Sequence, residues 1–214
     1  MNKRYVLDFD EISLGDVARV GGKNASLGEL FRTLRPLGIQ ALDGFAITAS
    51  AYHRLLETDG LDDTLSNVMD GLDPESVESL AQTGKYARAA ILGTHLPSEL
   101  VSQIVSAYRR LCERLGTEPA LAVRSSATAE DLPGASFAGQ HQTLLNVVGE
   151  NALIDAVHQC YASLFTDRAI DYRQRNGFEH LSVALSVGVQ PMVRSDLGSA
   201  GVIFTLDTES GFRD

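Results

Sequence analysis

Between Pro97 and Gly116 the residues Leu100, Ile104, Val105, Tyr108, Leu111, Cys112 and Leu115 recur at helical spacing and make one apolar stripe. Directly afterwards the period changes. Leu121-Ala122-Val123-Arg124 reads as a strand, and so does "TLLNVV", residues 143–148. A chain that switches period in this way is neither an all-helical bundle nor an all-β sandwich.

The remaining pattern sorts itself around that switch. Residues 5–9 ("YVLDF") and 44–48 ("GFAIT") read as short strands. Between them a loop runs into a helix with Leu27, Leu30, Phe31 and Leu34 on one face, ended by Pro36 and Gly38. Residues 49–116 are mostly helical: Thr48 or Ser50 caps the first helix, Asp73-Pro74 starts another, and Pro97 starts the striped one. Leu153, Ile154, Val157, Cys160, Tyr161, Leu164 and Phe165 mark one more amphipathic helix. "SVALSVGVQPMV" and "AGVIFTLD" read as two strands joined by a polar turn around Asp196-Leu197-Gly198. The expected fold is an α+β domain with a helical insert, about residues 49–116, between two sheet-forming parts.

Composition narrows the function classes. The chain has 214 residues and a formal net charge of −10, which argues against a general nucleic-acid or membrane-surface binder. Cys112 and Cys160 fit no metal spacing and fall on apolar stripes, as reduced, buried thiols do. The N-terminus carries acids where a signal peptide needs an apolar run, and no stretch is long enough to span a bilayer. Cytoplasmic location is the expectation.

Three stretches could carry chemistry. In "VGGKNASLGEL", residues 20–30, two glycines precede Lys23 where a helix begins. Glycines, free N–H groups and a lysine suit a phosphate. The spacing is not that of a P-loop, because Val17 stands where a glycine is needed and Asn24 replaces the Ser/Thr. A structural Gly-Gly turn with an exposed lysine is the other reading. In "RSSATAEDLPGASFAGQ", residues 124–140, Arg124 follows a strand and can grip phosphate oxygens with paired hydrogen bonds. The low-bulk run containing Gly134, Ala135, Ser136 and Phe137 can wrap an anion or close over one. The rival is a surface turn with Arg124 paired to Asp131. In "VQPMVRSD", residues 189–196, Gln190, Met192 and Val193 could flank a flat base, or form an ordinary edge strand tolerating Pro191. His53, His95, His141, His158 and His180 are scattered in no metal spacing, and Asp207 with Glu209 reads as a solvated turn before a metal site.

The order of "VGGKNASLGEL", "GFAITASAY", "AVRSSATAEDLPGASFAGQHQTLLNV", "ASLFTDRAIDYR", "VALSVGVQPMVRSD" and "GVIFTLDTESGF" resembles that of phosphoenolpyruvate synthases over essentially the whole chain. Pyruvate phosphate dikinases and rifampin phosphotransferases share the N-terminal domain more loosely. The resemblance implies an ATP-grasp-type nucleotide site. Lys23 and Arg124 would hold ATP phosphates, Gly134, Ala135, Ser136 and Phe137 would cover them, and Gln190, Met192 and Val193 would lie along the adenine.

It also implies a phosphohistidine relay to pyruvate, yielding phosphoenolpyruvate, AMP and phosphate. The acidic residues that hold Mg²⁺, the histidine domain and the pyruvate domain are expected beyond residue 214. The chain is therefore expected to be an N-terminal part that does not complete the reaction alone. A rifampin phosphotransferase and a stand-alone nucleotide-binding module are the alternatives.

Overall fold

The computed structural model describes residues 3–128 and 142–211. Its strands β1 (Val6–Asp8), β2 (Phe45–Ile47), β3 (Leu121–Ala127), β4 (Thr143–Val147) and β5 (Leu185–Pro191) form one five-stranded sheet in the order β1-β2-β5-β3-β4. All neighbouring pairs are antiparallel. β5, the last in sequence, lies in the middle, with Val189 opposite Phe45 of β2 and Val123 of β3. The helices are α1 (Val17–Leu34), α2 (Ala49–Leu56), α3 (Leu61–Asp70), α4 (Val77–Gly93), α5 (Ser98–Leu115), α6 (Glu150–Ala162) and α7 (Asp167–Arg175). The mixture of helices with an antiparallel sheet is the expected α+β class. Among the described residues no helix is long and apolar enough to cross a membrane.

Alternation along the strands gives the sheet two unlike faces. One set of side chains, Phe45, Ile47, Leu121, Val123, Leu185, Val187 and Val189, is buried in the main core with residues of α2 to α6. Burying each of the larger apolar side chains there contributes about 1.5–3 kcal/mol. The other set includes Leu7 and Ala46, which join Phe9, Ile12, Val20, Ala25 and Phe31 in a smaller cluster under α1. Towards β5 and β3 this second set turns small or polar: Ser186, Gly188, Gln190, Ala122, Arg124 and Ser126 are register partners in pairs. α1 therefore covers only part of its face.

Some sequence expectations meet a different structure. Residues 200–207 form no strand; Val202, Ile203 and Phe204 are exposed there. The reason is topological: β5, the supposed hairpin partner, already has β2 on one edge and β3 on the other. α4 begins at Val77 with Ser76 as its cap, the Ser76 hydroxyl accepting the Ser79 N–H at 3.1 Å. Asp73 instead accepts the Glu75 N–H at 3.1 Å, closing a turn before the helix. Thr48 occupies the cap position of α2, yet its hydroxyl bonds Ser50 Oγ at 2.8 Å, leaving the helix N–H groups uncapped by it. Cys160 is buried, and burial pushes its thiol up to about 12, while Cys112 is half-buried.

Candidate functional site

The open part of the sheet is where Lys23 and Arg124 meet. α1 is broken at Gly21, whose φ of 73° and ψ of 161° separate a first turn from the helix proper. The helical path thus restarts at Gly22, and the peptide N–H groups of the new first turn lack partners within the helix. Glycine is required at position 21 twice over. Its φ is left-handed, and an added Cβ would strike Ser126 Oγ and lie 2.9 Å from the carbonyl oxygens of Ser126 and Ala127 on β3. This close approach sets the start of the helix directly against the sheet.

Asn24 fixes the helix start from the other side. It is 2% exposed, and its Nδ2 donates to Val20 O at 3.1 Å and to Ser186 Oγ at 3.0 Å. Ser186 in turn donates to Ile47 O at 2.7 Å. The Asn24 carboxamide rests on Gly188, where an added Cβ would collide with its Oδ1 and come within 3.1 Å of its Cγ. One buried amide therefore ties α1 to β5 and, through Ser186, to β2. Asn24, Ser186 and Gly188 hold the site's geometry, and sequence reasoning did not single out the last two.

Arg124 is the exposed member of a β3 pattern in which every other residue is buried. Its register partners are Gly188 on β5 and the exposed Thr143 on β4, so little bulk hems it in. Lys23, Arg124, Gly22, Asn24, Ser26, Ser125, Leu14, Val17 and Leu27 line one cleft of about 610 Å³. Other arginines of the chain are engaged with carboxylates: Arg54 with Glu99 at 2.8 Å, Arg109 with Glu150 at 2.6 Å, Arg114 with Asp43 at 2.7 Å. Among the described residues no carboxylate pairs with Arg124. Asp131, the alternative partner weighed from sequence, lies outside the described residues, as do Glu130, His141, Gly134, Ala135, Ser136 and Phe137.

The remaining candidates occupy the far end of β5. Gln190 is 4% exposed and stands opposite Ala122. Met192 is half-buried, its N–H donating to Ala120 O at 2.8 Å, and Val193 is exposed. Met192 and Val193 line a second hollow of about 700 Å³ with Ala120, Glu118, Asn146 and Pro191. The structure brings Lys23 and Arg124 together and leaves Met192 and Val193 in a separate depression. From Gly188 to Pro191 is three residues of strand, about 10 Å.

The other titratable groups are structural in their surroundings. Asp207 accepts N–H groups from Glu209 at 2.7 Å and Ser210 at 2.9 Å, which hold its carboxyl below the usual range. That is the turn read from sequence. Among the described residues no group of three or more His, Cys, Asp or Glu side chains could hold a metal ion. His53 is exposed; His158 and His180 are half-buried, and burial pulls both below the usual imidazole range.

Residues 17–214 match the family model described as pyruvate phosphate dikinase, AMP/ATP-binding domain. The chain belongs to this family. It is 49% identical over its whole length to the phosphoenolpyruvate synthase of Aquifex aeolicus, matching 25% of that protein. With the phosphoenolpyruvate synthases of Helicobacter pylori and Escherichia coli it shares 52% and 48% identity over 99% and 97% of the chain, each time against 26% of the relative. The chain thus spans about a quarter of the length of these relatives.

Proposed function

We propose that this chain is the nucleotide-binding part of a phosphoenolpyruvate synthase, of the ATP-grasp type, and that ATP lies along the open face of its sheet. The observation that carries the reading is the convergence of Lys23 and Arg124, from separate elements, on one cleft at the start of a helix. A triphosphate needs cations and oriented N–H groups more than covalent help, because phosphoryl transfer relies on positioning and charge neutralisation. Arg124 would take two phosphate oxygens through its planar fork, Lys23 would add a point charge, and the N–H groups after Gly21 would face the same anion. Gly134, Ala135, Ser136 and Phe137 would close over the phosphates. Gln190, Met192 and Val193 would lie along the base, at the other end of β5.

In the whole enzyme the reaction would be ATP, pyruvate and water giving AMP, phosphoenolpyruvate and phosphate through a phosphohistidine, with other parts of the protein supplying the histidine and the pyruvate site. Among the described residues no group of three or more His, Cys, Asp or Glu side chains could hold a Mg²⁺ without the nucleotide's own oxygens. The names of the relatives support a synthase over a rifampin phosphotransferase.

Calorimetric titration of ATP into the protein and into Arg124→Ala tests the reading. Loss of a charge-assisted bidentate contact should weaken binding roughly 10- to 100-fold. Equal affinity of the two proteins would sink it.

A further inference from the structure

The edge strand β4 carries an irregularity beside the second hollow. Val123 pairs with Leu144 and Leu121 with Val147, so three steps along β4 match two along β3. Asn146 has a left-handed backbone with φ +58°, within the stretch that holds this extra residue. Leu144 and Val147 both stay against the main core, so Leu145 and Asn146 are left side by side on the exposed side. Bulges of this kind re-aim side chains and cluster next to binding sites, and asparagine tolerates the left-handed region better than other non-glycine residues.

What the bulge aims at is specific. Asn146 lines the 700 Å³ hollow together with Met192 and Val193. Its backbone N–H donates to Met192 Sδ at 3.1 Å, which steadies an otherwise flexible side chain in the lining of that hollow. Its own carboxamide makes no hydrogen bond among the described residues. A carboxamide offers one carbonyl acceptor and an amide N–H donor side by side. The edge of adenine offers an exocyclic amine beside a ring nitrogen acceptor, the complementary pair. On the edge that carries the ring nitrogen N7, guanine presents two acceptors, O6 and N7, so only one of the two bonds can form there.

We propose that Asn146 reads the base of the bound nucleotide, its carboxamide pairing with the amine and ring nitrogen of adenine while Met192, held by the same residue, forms the apolar wall. This rests on the nucleotide reading above and names the residue that selects the base. The test is calorimetric titration of ATP, GTP and inorganic tripolyphosphate into the protein and into Asn146→Gly. Glycine keeps the left-handed backbone and the N–H donated to Met192 and deletes only the carboxamide. The parent should prefer ATP to GTP by at least roughly tenfold, and Asn146→Gly should lose most of that preference while binding tripolyphosphate as before. An ATP-to-GTP ratio unchanged in Asn146→Gly overturns the inference and leaves the phosphate site standing. Binding of tripolyphosphate by a parent that does not distinguish ATP from GTP also overturns it alone. A parent that binds neither nucleotide nor tripolyphosphate overturns both readings. Should Asn146→Gly melt at lower temperature than the parent, titration of the parent with 7-deaza-ATP, which lacks the ring acceptor N7, carries the comparison: weaker binding than ATP supports the pairing, and equal affinity overturns it.

Discussion

The two faces of the sheet are built from the same strands and share almost nothing else. On the closed face Val123, Val187 and Val189 meet helical side chains and are fully buried. On the open face their immediate neighbours along the chain are Arg124, Gly188 and Gln190. The closed face holds the fold together by area removed from water, and a helical layer of four consecutive helices, α2 to α5, helps to provide that area. The open face holds groups in place at little volume: two glycines where backbones or amides press together, one buried asparagine, and two cations on a cleft. The difference teaches that a strand can be read as two sequences, one for stability and one for chemistry.

The largest expected effect of breaking this division lies on the closed side. Phe165 is fully buried there, with the Arg173 guanidinium 5.4 Å above its ring. Phe165→Ala removes a whole aromatic side chain and should cost about 3–5 kcal/mol of unfolding free energy. Urea titration measures it, and a loss below the cost of an ordinary surface substitution would contradict the closed face as the source of stability. Next comes a substitution that crosses the division. Gly188→Ala pushes a methyl into the Asn24 carboxamide, which its bonds to Val20 and Ser186 prevent from yielding. The expected cost is about 1–3 kcal/mol, with a parallel loss of ATP affinity as the start of α1 shifts. A stability loss with unchanged affinity would separate Asn24 from the site.

These residues also show how far the sequence could be read. The stripe from Leu100 to Leu115 and the strand-like run ending at Arg124 could be read, because each signal is local; the two unlike faces of the sheet could not, since Leu121-Ala122-Val123 is apolar throughout. The link from Asn24 through Ser186 to Ile47 could not be seen, since Asn24 and Ser186 are 162 residues apart and neither type is unusual on its own. "TLLNVV" looked like a plain strand; its one signal was an asparagine inside a strand, a residue type that tolerates left-handed backbone. Residues 200–207 misled for the opposite reason. Their apolar content is strand-like, but a strand forms only where a sheet edge is open, and β5 has none.

A smaller and more gradual effect separates the faces by pH. Tyr52, Tyr161 and Cys160 are fully buried on the closed side, and desolvation raises all three. Cys160 moves from 9.0 to about 12. A thiol that ionises more readily in the unfolded chain draws the equilibrium towards unfolding once pH passes its ordinary value. Its contribution is therefore complete below about pH 9 and is lost as pH rises through 12, at up to about 1.4 kcal/mol per pH unit. Denaturant midpoints measured from pH 8 to pH 11 should fall steadily above pH 9, and the slope should shrink in Cys160→Ala. A flat profile would mean that water reaches these groups.

The smallest effect is the most discriminating. Arg124 is exposed and has no carboxylate partner among the described residues, so among them its removal breaks no ion pair and opens no core cavity. Arg124→Ala should shift stability by no more than about 0.5 kcal/mol, the range of a surface change remote from packing. The same substitution is the one expected to weaken ATP binding roughly 10- to 100-fold. A residue that matters to the ligand and not to the fold marks a face kept open for chemistry. If denaturant titration instead shows a loss of several kcal/mol, Arg124 is a structural arginine, and the open face has lost its clearest claim to a separate purpose.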